Sequence, residues 1–574
     1  MAPPVFLISL SACCALVAHQ VFRLHETYHV PFHLALLLGP PTAISGAAWA
    51  LGSGAAGSII PPWLLIYATY LATLIASVVI YRLSPFHPLA QVPGPLRFKV
   101  TKIWMATRCA MGMESQQITA LHEEYGDIVR TGPNEISIRD PSLINALMGA
   151  TGAPKGPNWL GFTLKYDDPP LIGIQDLKEH KRVRRPWNRG MTPSAVKEYE
   201  ILMENRVNEL VRSVDSRRGE IIVTQHIFGP FIHSSTVHRR LSDRIPSSFG
   251  EASRLTENKT FWSPIDDGAV PAAFLAHVPW LGFYVRLIPP VVAQVTGFMA
   301  RCEALIEMRM ARGSENPDLF YHLSDEDLGN AEPLPMNELV NHGILAVVAG
   351  TETTAIGLTC LFYGILTQPE IYAALEAEVD RFCHGSQAAV DTSHHHEMHY
   401  LEAVIAETMR LYNPAPNGSP RRVPQNGGGM YAGGVYLPPG TSFACHARSM
   451  QLDPRNFSFP DVFWPERWLV ASGKLKSAKL PRSGLPGDVA QGVEYDAAML
   501  AHNKMAYIPF SYGPMNCIGK DLSATVMRMV VCALLRQFKF ELQEGWDARA
   551  WREGIRELGV TRCPPLPVIV KSRL

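Results

Sequence analysis

From Met1 to Tyr81 the chain carries two formal charges, Arg23 and Glu26. A stretch so poor in charge is unsuited to be the wetted surface of a soluble fold, and in lipid its backbone must satisfy itself within helices. Three apolar runs lie within it, at about 4–22, 30–51 and 59–81, each close to the ~20 residues a helix needs to cross a bilayer. Gly39-Pro40-Pro41 falls in the middle of the second run and predicts a break or kink there. The first run has no basic segment ahead of it, which speaks against a cleaved signal peptide. Arg23 follows the first run, the loop 52–58 is uncharged, and Arg82, Arg97, Lys99 and Lys102 follow the third. With positive residues inside, three spans place the N-terminus in a lumen and the bulk of the chain in the cytosol; without the second span one end reverses.

Residues 82–95 hold four prolines and a glycine, a stiff and extended hinge rather than a helix. The remainder, 96–574, shows no internal repeat and no linker rich enough to divide it, so one large domain is expected. Helical periodicity dominates its second half, over Asn337–Leu366, Pro369–Phe382, Tyr400–Leu411 and Leu522–Phe538. Short strands fit Glu135–Ile138, Val435–Leu437 and Pro567–Lys571. The predicted fold class is therefore mainly α with small β-sheets. A formal net charge of zero gives no argument for nucleic acid as a partner. Ten cysteines, scattered and without a C-x-x-C pair, fit a reducing compartment.

One cysteine stands apart, in Phe510-Ser-Tyr-Gly513-Pro-Met-Asn-Cys517-Ile-Gly519, just ahead of an apolar helical run. Glycines at 513 and 519 allow tight turns and close approach of the backbone to a flat group. A sulfur at a helix N-terminus meets N–H donors and the positive end of the dipole, which favour a thiolate. Such a thiolate can ligate a haem iron and favour O–O cleavage. The alternative for Cys517 is the commonest fate of a free cysteine, a place in the core.

Within the long helix, Ala349-Gly-Thr-Glu352-Thr353 combines small residues, which let a helix pass close over a flat cofactor, with a carboxylate and a hydroxyl able to relay protons. Equally, Gly350 could be a packing contact and Thr353 could bond its own i−4 carbonyl. Glu407 and Arg410 share one helix face, and Arg467 in Trp464-Pro-Glu-Arg467 could join them in a buried network; a surface ion pair is the alternative. The segment Lys178–Arg189 is strongly basic, and His180 with Arg184 at i, i+4 suits a carboxylate pair on a ligand. Lys181, Arg182 and Arg189 read as a solvated basic face that an acidic redox protein could dock against.

Read together, these motifs resemble those of the cytochrome P450 family, in its eukaryotic, membrane-bound, fungal form, over roughly Pro93 to the C-terminus. The resemblance implies the cytochrome P450 fold preceded by N-terminal transmembrane helices, with haem b held between the long helix and the cysteine loop. By position Cys517 is similar to the axial ligand of the haem iron, Thr353 to the oxygen-activating alcohol and Glu352 to its acidic neighbour. Phe510, Gly513 and Gly519 frame the cofactor in the same way. Glu407, Arg410 and Arg467 resemble the family's structural triad, and His180, Arg184 and Arg421 its propionate partners. Two positions depart from the pattern: Met515 stands where the family usually has Arg or His, and His180 where Trp is common.

The activity so implied is that of an oxidoreductase, a monooxygenase inserting one atom of O2 into a lipophilic small molecule. A terpenoid or another secondary metabolite is expected, ahead of fatty acids and xenobiotics. The segment after Cys517 is too short for a flavin domain, so electrons are expected from NADPH through a separate NADPH-cytochrome P450 reductase. The expected place is the endoplasmic reticulum membrane, with the catalytic domain cytosolic and membrane lipid as a further partner. A haem-thiolate isomerase, dehydratase or peroxygenase that does not use O2 is the alternative, against which the acid–alcohol pair speaks; a membrane haem protein without turnover is another. Asn158–Thr163, Phe228–Pro290 and Pro414–Gly418 are expected to line the pocket, with Trp159, Phe162, Phe228, Phe231 and Ala415 as apolar contacts. The run His394–His396 with His399 reads as a solvated loop, and the glycosylation pattern at Asn258 is idle in the cytosol.

Overall fold

The structure, a computed structural model, describes residues 4–573 apart from 51–60, 164–167, 237–258, 314–317, 327–332, 384–390 and 483–491. The glycosylation pattern at Asn258 lies outside the described residues. The apolar N-terminal runs form three helices, α1 (Pro4–Leu24), α2 (Val30–Ala50) and α3 (Pro62–Leu83), each long and apolar enough to cross a membrane. Leu7, Ile44, Ala48 and Ile66 pack together at one level of the bundle, and Ala15, Ala18, Tyr70 and Leu74 at another.

The break expected at Gly39-Pro40-Pro41 is absent, since α2 runs through both prolines. Pro40 has no N–H for the carbonyl of Leu36, and the Tyr70 hydroxyl of α3 donates to that oxygen instead, at 2.6 Å. Thr42 Oγ1 donates to the Leu38 carbonyl at 2.6 Å. A neighbouring helix thus repairs what Pro40 removes, as a span in lipid requires.

The turn between α1 and α2 reaches the main domain. Glu26 accepts from Arg422 and from Gln425 Nε2, Tyr28 stacks on Phe283 at 5.3 Å, and His33 Nδ1 shares a hydrogen bond with the Tyr284 hydroxyl at 2.9 Å. The turn therefore packs against the main domain.

Beyond the hinge the fold is mainly helical, with small open sheets. Helices α4 (Ile103–Ala110) and α5 (Glu114–Tyr125) precede strands β1 (Ile128–Gly132) and β2 (Glu135–Ile138). Then come α6 (Leu177–Gly190), α7 (Lys259–His277), the long α8 (Met336–Leu366) and α9 (His399–Leu411). Strands β3 (Arg421–Arg422) and β4 (Ser442–Cys445) complete a four-stranded sheet in the order β1-β2-β4-β3, and α10 (Lys520–Gln537) follows the cysteine loop. β2 pairs parallel with β4 and the other two pairings are antiparallel.

The main core lies between the C-terminal half of α8, α9 and α10, where Leu358, Leu361, Val404, Val530 and Leu534 are buried together. Phe228 and Phe231 belong to this core, Phe228 meeting Phe362 at 5.2 Å. They stand behind α8 and do not line a pocket as expected: residue type alone does not tell which side of a buried helix an aromatic packs against.

Candidate active site

Cys517 sits between a 3-10 turn at Gly513–Met515 and the start of α10. Its amide donates to the Phe510 carbonyl at 2.9 Å, which closes the loop. Gly513 has φ +74°, and a Cβ there would lie 1.9 Å from the Met148 carbonyl oxygen. Its glycine is therefore demanded by the tight turn that was expected and, in addition, by the neighbouring helix end at Met148. Gly519 has no protein atom within 4 Å of where a Cβ would stand, so no contact inside the chain accounts for it. Cys517 is exposed on one side although protein crowds its sulfur from the others. Burial pushes its thiol up, while the Gly519 amide and the charges of Arg184 and Lys155 pull it down.

Around this loop the fold gathers cations. His180 and Arg184 lie one turn apart on α6, and Asp176 caps that helix by accepting from the Glu179 amide. Arg184 donates to the Asn516 carbonyl and to Asn516 Oδ1, both at 2.9 Å, which ties α6 to the residue before the cysteine. Arg421, 1 % exposed, reaches the Tyr512 carbonyl at 3.3 Å, and its Nε has no partner. Lys155 completes the group and was missed by the sequence reading. It is buried opposite Arg421 across a single antiparallel bridge, and its position between Pro154 and Gly156 was the only signal.

The four act on one another. Burial, with Arg421 and Arg184, holds Lys155 down to about 7. Burial and the three other cations hold His180 down to about 3, and burial brings Arg421 to about 10. His180 Nε2 is buried without a partner. Among the described residues, no Asp or Glu figures among the groups acting on this cluster. Buried cations and orphaned donors without a counter-ion are costly unless a ligand supplies the anion. A group carrying two carboxylates beside a thiolate-bound metal fits this donor set.

Above the loop, α8 is buried at both ends of its middle stretch, at Leu339–Gly343 and Thr354–Ile365. Between them Ile344–Val348 are half-buried and Ala349 is exposed, so the helix has one open side there. Thr353 Oγ1 donates to the Ala349 carbonyl at 2.7 Å, the i−4 bond weighed above. Glu352 forms an ion pair with Arg562 at 2.9 Å. Thr354 shares a hydrogen bond with Ser523 of α10 at 3.1 Å, linking the long helix to the helix behind the cysteine.

Glu407, Arg410 and Arg467 come together, all fully buried. Glu407 accepts from Arg410 Nε and Nη2 at 2.8 Å, from Arg467 Nε at 3.2 Å, and from the Trp464 amide and Trp468 Nε1 at 2.9 Å. Burial would raise its carboxyl, but the two arginines hold it down to about 2. Arg410 also donates to the carbonyls of Gln451 and Pro460, and Arg467 to that of Phe459, so the network clamps 451–467 against α9.

Two residues of the expected basic face are engaged inside the fold. Arg182 pairs with Glu179 and with Glu338 of α8, both at 2.6 Å, and Arg189 with Asp325 at 2.9 Å. Glu338 and Asp325 lie far along the chain, which the local run of charge could not show. The histidines at 394, 396 and 399 are exposed, and His394 contacts Glu397.

A cysteine loop beside a buried cation cluster, with a long helix tied by Thr354 to the helix that follows the cysteine, fits a haem-thiolate oxidoreductase. A model of the cytochrome P450 family matches residues 92–555, and the chain belongs to that family as a fungal-type monooxygenase. It is 28% identical over 522 residues to a cytochrome P450 monooxygenase of Penicillium fellutanum, covering 90% of this chain and 83% of that one. It is 28% identical to the trichothecene C-15 hydroxylase of Fusarium sporotrichioides, over 90% of this chain and 99% of the relative. The tryprostatin B 6-hydroxylase of Aspergillus fumigatus is 25% identical, over 98% and 95%. Among solved structures, the cytochrome P450DA heme domain shares the fold with a TM-score of 0.64, at 16% identity, over 84% of this chain and 97% of that one.

Proposed function

We propose that this monooxygenase acts on a lipophilic secondary metabolite, a terpenoid or a molecule of similar character, with haem b held on Cys517. The observation that carries the reading is the buried set Lys155, His180, Arg184 and Arg421 beside that cysteine, cations that match two propionates. Lys155 and Arg184 would supply the charge that Met515 does not. A bound haem supplies O2 binding and reductive O–O cleavage, for which thiolate ligation is suited.

The chain's own residues do the rest. The amides and cations near Cys517 favour its thiolate form against burial. Thr353 Oγ1, held by the Ala349 carbonyl, keeps lone pairs to accept a hydrogen bond and a proton to pass on. Glu352 must leave Arg562 to act as its proton source, so Arg562 sets how readily that carboxylate is available. The apolar open side of α8 excludes water from the substrate's reacting carbon.

Support for the substrate class comes from the relatives named for hydroxylating trichothecene and tryprostatin B, and from Trp159 and Phe162 in the segment 157–162. Exposed Lys178, Lys181, Arg185 and Lys520 near the cysteine side suit an acidic face on a separate NADPH-cytochrome P450 reductase. Helices α1–α3 would hold that encounter at the endoplasmic reticulum membrane, on its cytosolic side.

The ferrous–CO difference spectrum of the purified protein tests ligation: a red-shifted Soret band is expected, and its absence in wild type would overturn the reading. Metabolite profiling after co-expression with a reductase tests the substrate. Turnover that needs neither NADPH nor reductase would favour a peroxygenase or isomerase instead.

A further inference from the structure

We propose that Cys109, Glu114 and His277 form a second metal site, distinct from Cys517, that takes one zinc ion. Cys109 lies on α4, Glu114 opens α5 and His277 closes α7, three elements that make no part of the cysteine loop. Their sulfur, carboxylate and ring-nitrogen atoms lie within 4.8 Å of one another, and all three residues are buried. Cys109 Sγ is 3.2 Å from Glu114 Oε2, and His277 Nε2 is 3.1 Å from Glu114 Oε1. Ligand atoms around a tetrahedral ion with bonds of about 2.0–2.3 Å lie roughly 3.3–3.7 Å apart, so small shifts complete the geometry.

The second observation is His277 itself. Its side chain is 3% exposed, Nε2 lies 3.1 Å from Glu114 Oε1, and Nδ1 is buried without a hydrogen-bond partner. Three ligand-type atoms that converge within 4.8 Å of one another in a buried place are what ligands of a common ion look like. By contrast, the neighbouring polar groups have partners: Glu557 accepts from the Ser115 amide, and His446 bonds Ser449 and Ser115. Asn158 Oδ1 is the exception, buried and unpaired. It borders, with Glu114, His277 and His446, a cavity of about 20 Å³, the size of one water. A zinc-bound water there would fill the fourth position and donate to Asn158.

The donor chemistry selects the metal. One thiolate and one carboxylate neutralise a dication with a neutral imidazole beside them, which removes the cost of buried charge. Sulfur excludes calcium and magnesium as natural occupants, and the mixed S, N, O set suits zinc. Bound there, the ion would tie α4 and α5 to the end of α7, beside the 157–162 segment, where the Asn158 amide already donates to Ala276 at 3.1 Å.

The test uses untagged full-length holoprotein, loaded with zinc chloride and dialysed against a mild chelator. Retention of one zinc per haem is expected, and zinc K-edge absorption should show a sulfur scatterer at about 2.3 Å. Cys109→Ser and His277→Gln should each lower retained zinc about tenfold or more, which would be ~1.4 kcal/mol or more of binding, with the ferrous–CO spectrum unchanged. Replacing His394 and His396 by alanine should leave retention intact. Zinc without a sulfur scatterer, or zinc held equally by the variants, would assign the ion to exposed histidines and overturn the proposal. So would wild type that retains none. The sulfur signal is read on wild type, so the test stands even where a variant does not fold.

Discussion

Lys155 faces Arg421 across one antiparallel bridge, with the Gly156 amide donating to Pro420 at 2.9 Å and the Arg422 amide to Pro154 at 3.0 Å. Backbone pairing thus holds two buried cations side by side, against their repulsion. A dianionic ligand would turn that cost into affinity, the role proposed for this bridge toward the cofactor.

Lys155→Met should lower haem retention several-fold, and Lys155→Arg should largely keep it, as read by haem-to-protein ratio after gel filtration. The lysine is held down to about 7, so between that value and its unfolded value of ~10.5 the unfolded chain binds more protons. Apoprotein stability from this group therefore rises with pH across that window. Propionates would return the proton, so haem affinity should fall as pH rises from about 7 to 9, by at most about tenfold per unit. Haem transfer to an acceptor protein at the two pH values measures this, and the slope should vanish in Lys155→Met.

Arg467→Ala should destabilise the fold by about 3–5 kcal/mol, since it leaves Glu407 buried beside one arginine where two stood. The loss should appear as a lower thermal midpoint and a CO spectrum that converts to the non-thiolate form. Glu407 is held down to about 2, so its stabilisation is full above its unfolded value of ~4.3 and is lost as pH falls toward 2. Melts between pH 7 and 3 should show this decline in wild type.

Thr353→Ala should leave the ferrous–CO band in place but divert reducing equivalents to peroxide, measured as peroxide formed per NADPH. Arg562→Gln releases Glu352 from its 2.9 Å ion pair. Coupling should change in that variant, whereas Arg562→Gln should cause no further change in a Glu352→Gln background, because the arginine acts through the carboxylate.

A cysteine placed at Thr27 should be labelled from the same side of microsomal vesicles as the catalytic domain, and one near the N-terminus from the opposite side. Glu26→Gln removes the contact to Arg422 and should make the turn more open to protease without loss of haem.

The cysteine loop, the long helix, the three apolar N-terminal helices and the Glu407 network were legible because each is written in local spacing. Helix Pro369–Phe382 and strands Glu135–Ile138 and Val435–Leu437 occur at their expected residues. Periodicity reports what a short segment does with its own neighbours. It could not report that Tyr70 would repair α2, that Arg182 would turn inward to Glu338, or that Phe228 would stand behind α8.

Sequence alone determined the family, since a cysteine in that loop, with an acid and an alcohol on a small-residue helix, is a local arrangement of residue types. Only the tertiary structure brought Lys155 into the group with His180, Arg184 and Arg421 that is proposed to meet the cofactor's charge. Lys155, His180, Arg184 and Arg421 come from a loop, a helix and a strand, and electrostatic coupling depends on distance through space, whatever the distance along the chain.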